Sequence, residues 1–168
     1  MRLDSIETVY ATHLGDLRST EKQLIEALPK LAEAASDKKL KEVFIRHLAE
    51  TRIHLVRIEV VVATSPSPVG SERCEGSYGL IQTAERVIAA DGSDAVRDVA
   101  LIAAAQRIEH FEIAAYGAAR ALAGQLDQRE AQELLREILD EETRANALLG
   151  KLATGGFVIA GINERAHT

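Results

Sequence analysis

The chain has a single cysteine, Cys74, and no tryptophan. One thiol makes no internal disulfide, and Cys74 has neither a CxxC partner nor a Cys/His neighbour at zinc spacing, so it reads as an unpaired thiol in a connecting segment. Aromatic residues amount to 4%. The one β-branched run, Ile58 to Val62, continues a helical pattern, which leaves strand signals nearly absent. No apolar stretch approaches the ~20 residues of a membrane span, and the acidic, amphipathic N-terminus has no signal-peptide core. A net charge of -6 opposes general binding to phosphate backbones. Neither nucleic acid nor a membrane is expected as a partner, and the cytoplasm is the default location. Also missing are GxxxxGK[ST], GxGxxG after a strand, HExxH and Gly-x-Ser-x-Gly.

What the chain does have is length and helical punctuation. Its 168 residues, 46% hydrophobic and 27% charged, suit one globular domain with a sizeable core. Asp4 with Glu7 and Asp127 with Glu130 stand at capping-box spacing. Helices are expected over about 4–35, 37–63, 94–124 and 128–154. The breaker cluster 64–71 separates the second from the third and is followed by a shorter helical stretch, about 78–90, ended by Asp91-Gly92. Short turns make antiparallel neighbours of the first pair and of the last pair, while about 30 residues between them can cross the molecule from end to end. The expected fold is all-α, a four-helix bundle over 1–154 made of two antiparallel helical hairpins and a long crossover containing a short extra helix. The tail, 155–168, is expected to dock or fray.

Charge stands where it should not. Glu21, Glu50, Glu109 and Glu142 each interrupt the apolar stripe of a different expected helix, as in Leu17, Glu21, Leu24, Leu28. An unpaired carboxylate in an apolar core costs several kcal/mol or takes up a proton, so four converging carboxylates imply cations. Two divalent metal ions per chain would balance them. His47 and His54 flank Glu50 at minus three and plus four, and either can reach its face, with His54 slightly preferred as a ligand. Glu112 lies one turn from Glu109 and can bracket one metal or bridge two. Either Glu141 or Glu142 must face inward, Glu142 on the stripe through Leu135 and Leu149, Glu141 on that through Leu134 and Leu148. Tyr116, two turns beyond Glu109, is either a hydrogen-bond donor behind the ligands or a core filler. So oxygen-rich a donor set suits iron or manganese better than zinc or copper.

Glu-Lys-Gln-Leu at 21–24, His-Leu-Ala-Glu-Thr at 47–51, Cys74-Glu75-Gly76, the block from Ala100 to Gly117 and Leu139-Asp140-Glu141-Glu142 together carry a likeness that covers nearly the whole chain. The chain resembles the YciE/YciF-type family of ferritin-like bacterial proteins. The resemblance implies a ferritin-like four-helix bundle with a dimetal centre, commonly dimeric and linked to bacterial stress responses. By similarity to the related rubrerythrins it puts Glu21, Glu50, Glu109, Glu112 and Glu142 at metal-ligand positions. The histidines that follow in rubrerythrins have no match at Ile53 or Ala145, and Arg18 stands where family members often carry an aromatic residue. Reaction of the metals with oxygen or peroxide is the leading expectation. A non-catalytic metal-binding protein and a helical interaction module are the alternatives.

Overall fold

A computed structural model describes residues 4–155 and 161–166. Every element among them is helical: α1 (Ile6–Ala34), α2 (Lys38–Ala63), α3 (Glu75–Ile88), α4 (Asp94–Gln125), α5 (Arg129–Thr154) and α6 (Ile162–Arg165). α1 packs on α2 and α4 on α5, α2 also meets α5 and α1 meets α4, while α3 lies against α1 and α4. None of these helices is long and apolar enough to cross a membrane.

Three of the expected helix starts differ. α1 is capped by Ser5, whose hydroxyl accepts from the Thr8 amide, one residue beyond Asp4. Asp127 is not a cap at all. Its φ of 54° lies in the left-handed region, where it closes α4: the Asp127 amide donates to the Gly124 carbonyl (3.3 Å) and the Gln128 amide to the Ala123 carbonyl (2.9 Å). That pair of bonds satisfies carbonyls left open at a helix end, and an aspartate tolerates the left-handed conformation better than most side chains. α3 begins at Glu75, earlier than the expected 78.

The apolar core divides into two clusters. Leu24, Leu31, Leu40, Phe44, Leu101 and Ile102 belong to the first, and Tyr10, Leu14, Leu17, Ile58, Tyr116 and Leu135 to the second. The crossover is pinned to α1, where Arg18 Nη2 donates to the Gly70 carbonyl and a Cβ on Gly15 would stand 3.2 Å from the same oxygen. Within the tail, Ile162 is buried in the first cluster and Arg165 Nη2 reaches Asp37 Oδ2 at 2.7 Å. The tail residues Phe157, Val158 and Ile159 lie outside the described residues.

Candidate metal centre

Ten polar or charged side chains are buried among the described residues, and six of them, Glu21, His47, His54, Glu109, Glu112 and Glu142, carry the site. α1 supplies Glu21, α2 both histidines, α4 Glu109 and Glu112, and α5 Glu142. Each occupies a core-facing position of its helix. Two groups form, and all ligand atoms within a group lie within 4.8 Å of one another: His47, Glu109, Glu112 and Glu142 in one, Glu21, His54 and Glu142 in the other. Glu142 belongs to both.

His47 Nε2 stands 3.3 Å from Glu109 Oε1 and 3.8 Å from Glu142 Oε2. His54 Nδ1 lies 2.8 Å from Glu142 Oε1, off the line of a hydrogen bond, and 3.9 Å from Glu21 Oε2. Behind it, His54 Nε2 donates to Glu141 Oε2 (2.7 Å), which also accepts from Arg57 Nη1 (2.9 Å). In its neutral form such a ring keeps its proton on the outer nitrogen and presents the inner one as a lone pair, the state a metal ligand needs, whereas in the metal-free chain, against the effect of burial, the Glu142 contact favours the charged ring. Tyr116 donates its phenolic hydrogen to Glu21 Oε1.

Most of the inward-facing atoms have no hydrogen-bond partner. Glu21 Oε2, Glu109 Oε2, both oxygens of Glu112 and of Glu142, both nitrogens of His47 and Nδ1 of His54 are buried and unpartnered. Such atoms are rare in folded proteins because each costs about 1–3 kcal/mol, and their convergence fits a divalent cation. Burial, then repulsion from Glu142, pushes Glu21 up to about 8. Burial, moderated by His47, takes Glu109 to about 8, and burial with repulsion from Glu142 lifts Glu112 well above the carboxylate range. At Glu142 burial acts upward too, but the His54 contact and the two imidazolium charges outweigh it and hold the group below its ordinary value. Burial acts downward on His47, yet Glu109, Glu50 and Glu142 raise it to about 10. Protons held by these groups thus offset part of the buried carboxylate charge.

Glu50 is placed differently from the other glutamates. The buried face of α2 runs Val43, His47, Thr51, His54, Ile58, Val61, through Thr51 rather than Glu50. Glu50 lies at the rim, its side chain 36% exposed and Oε2 3.7 Å from His47 Nδ1, in neither ligand group. Of the pair on α5, Glu142 faces inward and Glu141 is the half-buried neighbour of His54. Tyr116 sits on the ligand Glu21, so both of its readings meet in one side chain. Sequence reasoning passed over Arg57, which holds Glu141; its position three residues after His54, on the flank facing α5, was the available signal.

A family model described as a domain of unknown function, DUF892, matches residues 5–166. The chain belongs to the DUF892 family. It is 42% identical to Protein YciF of Escherichia coli (strain K12) over 168 residues, 99% of this chain and 98% of that protein. The crystal structure of the E. coli stress protein YciF superposes with a TM-score of 0.86 at 44% identity, covering 89% of this chain and 94% of that one. YcfI from Rhodopseudomonas palustris superposes with a TM-score of 0.85 at 31% identity over 90% and 96% of the two chains. This DUF892 chain is therefore a YciF-like, all-helical homologue with buried His and Glu groups that could hold metal.

Proposed function

We propose that this chain is a cytoplasmic dimetal-carboxylate protein built on a ferritin-like four-helix bundle, binding two iron or manganese ions and reacting with oxygen or peroxide under stress. One observation carries the reading: two buried ligand groups share the carboxylate of Glu142. A shared carboxylate between two cations is the geometry of two-metal sites, whose ions stand about 3.5–4 Å apart. His47, Glu109 and Glu112 would hold one ion, Glu21 and His54 the other, with Glu142 between them. Iron or manganese held there would supply the redox chemistry with oxygen or peroxide. The chain's own residues exclude bulk water, hold the Nε2 proton of His54 on Glu141 so that Nδ1 is the nitrogen turned to the ligand group, and steady Glu21 through the Tyr116 hydroxyl. The description of YciF as a stress protein supports the setting.

A homodimer is part of the same proposal. Ile45, Ile53, Val56 and Val60 expose an apolar stripe on the outer face of α2, which suits a second copy. Elemental analysis of protein loaded with ferrous iron or manganese tests the central reading. About two ions per chain, with oxygen or peroxide consumed on reaction, is the expected result. No bound metal under conditions that load other dimetal proteins would defeat it.

A further inference from the structure

Solvent does not reach Glu21, His54, Glu112 or Glu142, so a reactant must approach the centre past the side chains around it. Two partly exposed carboxylates border it, and each touches one of the imidazoles: Glu50 on His47 and Glu141 on His54. Both line a groove of about 580 Å³ between α2 and α5.

Charge in this groove runs against that of the chain. Arg46, Arg57, Arg144 and Lys151 face Glu50 and Glu141, four cations against two carboxylates, in a protein of net charge -6. The carboxylates are already engaged, Glu141 by His54 and Arg57, Glu50 by His47. The cations are less so. Arg46 and Lys151 are exposed and make no side-chain hydrogen bond or ion pair among the described residues, although the Arg46 charge helps hold the Glu50 carboxyl down after the larger effect of His47. Arg144 Nε donates to the Asp140 carbonyl (3.1 Å), while its terminal nitrogen reaches Glu141 only at 3.9 Å and is otherwise left to the groove. Ile53, Ala145 and Leu148 contribute apolar wall, which lowers the local dielectric and strengthens attraction for an anion. Guanidinium groups match the planar or tetrahedral oxygens of carboxylates and phosphates, and focused positive potential raises the local concentration of anions.

We propose that the α2/α5 groove binds a small multivalent oxyanion of the phosphate or polycarboxylate class, held by Arg46, Arg144 and Lys151 over Glu50 and Glu141 at the mouth of the buried centre. The role as a mouth rests on the metal reading above; the anion site itself does not.

The test is calorimetric titration of the full chain, metal-free and metal-loaded, with inorganic phosphate and separately with succinate. Saturable binding in the millimolar range or tighter is expected, weakened by added sodium chloride, and the tighter of the two anions names the source. Arg46→Gln combined with Lys151→Gln should weaken it by about tenfold or more, while Arg86→Gln, on α3 away from the groove, should change it less than about twofold. Absence of saturation, or equal affinity in the double variant and the parent, would overturn the proposal. So would binding that disappears as chain concentration rises while sedimentation shows a dimer, since a second copy would then fill the groove. Phosphate binding to the metal-free chain with this variant pattern sustains the groove even if the metal analysis fails.

Discussion

Glu142→Gln is the most informative single change. Glutamine keeps the size of the side chain but removes the charge that both ligand groups share. Metal-loaded protein should lose both ions, whereas Glu112→Gln, which touches one group only, should keep the ion held by Glu21, His54 and Glu142. The metal-free protein should suffer as well. Glu142 lies 2.8 Å from His54 Nδ1 and 3.8 Å from His47 Nε2, and unit charges at 2.8 Å attract by about 6 kcal/mol at an effective dielectric of about 20. Desolvation opposes most of that gain, and breaking a buried pair costs a net of about 3–5 kcal/mol. Because His54 can shed its proton once the partner is gone, the low end applies, about 3 kcal/mol. For a domain of this size that lowers Tm by about 10 °C. Elemental analysis reads the first effect and calorimetry of metal-free protein the second. A Glu142→Gln protein that retains its full metal complement, or one whose metal-free Tm matches the parent, would refute the reasoning.

Metal-free protein should lose stability as pH rises. Glu21 and Glu109 are raised from 4.5 to about 8 and His47 from 6.5 to about 10, so the folded state holds protons that the unfolded chain has released. The stabilisation is complete below the unfolded values and falls through about pH 5 to 10, each excess proton contributing about 1.4 kcal/mol per pH unit; thermal melts across that range that stay flat or rise would contradict it. Tyr116→Phe removes the donor to Glu21 and should weaken metal binding by about fivefold, near 1 kcal/mol, without altering the fold, as read by metal competition and circular dichroism. Asp98 accepts from the Ser36 amide (2.9 Å) and hydroxyl (2.6 Å) and the Asp37 amide (2.8 Å), clamping the turn between α1 and α2. Asp98→Ala should therefore cost about 3 kcal/mol in urea unfolding, with metal stoichiometry unchanged. Glu72→Ala, on the exposed crossover, should change neither stability nor metal content measurably.

The helices and their inward glutamates were legible because burial repeats along a helix. Glu21, Glu109 and Glu142 share stripes with leucine and isoleucine, and those stripes are the ones buried. α2 was harder. Its apolar residues surround the helix, with Ile45, Ile53, Val56 and Val60 outward, so periodicity alone could not separate the face through Glu50 from the one through Thr51. A choice one residue away turns a side chain by about 100°, which moves Glu50 from the interior to the rim. The Asp127 turn was misread for a related reason. An aspartate serves both helix starts and left-handed helix ends, and only the bond from the Gln128 amide to the Ala123 carbonyl decides between them. Arg57 and Asp98 act through contacts between distant segments, to Glu141 and to Ser36, which no local spacing records.

The most direct test of the central claim is the position of the metals themselves. Anomalous diffraction from crystals of the iron- or manganese-loaded protein should show two peaks about 3.5–4 Å apart, flanking the Glu142 carboxylate, one beside His47, Glu109 and Glu112 and the other beside Glu21 and His54. A single peak, or peaks lying away from Glu142, would contradict the account.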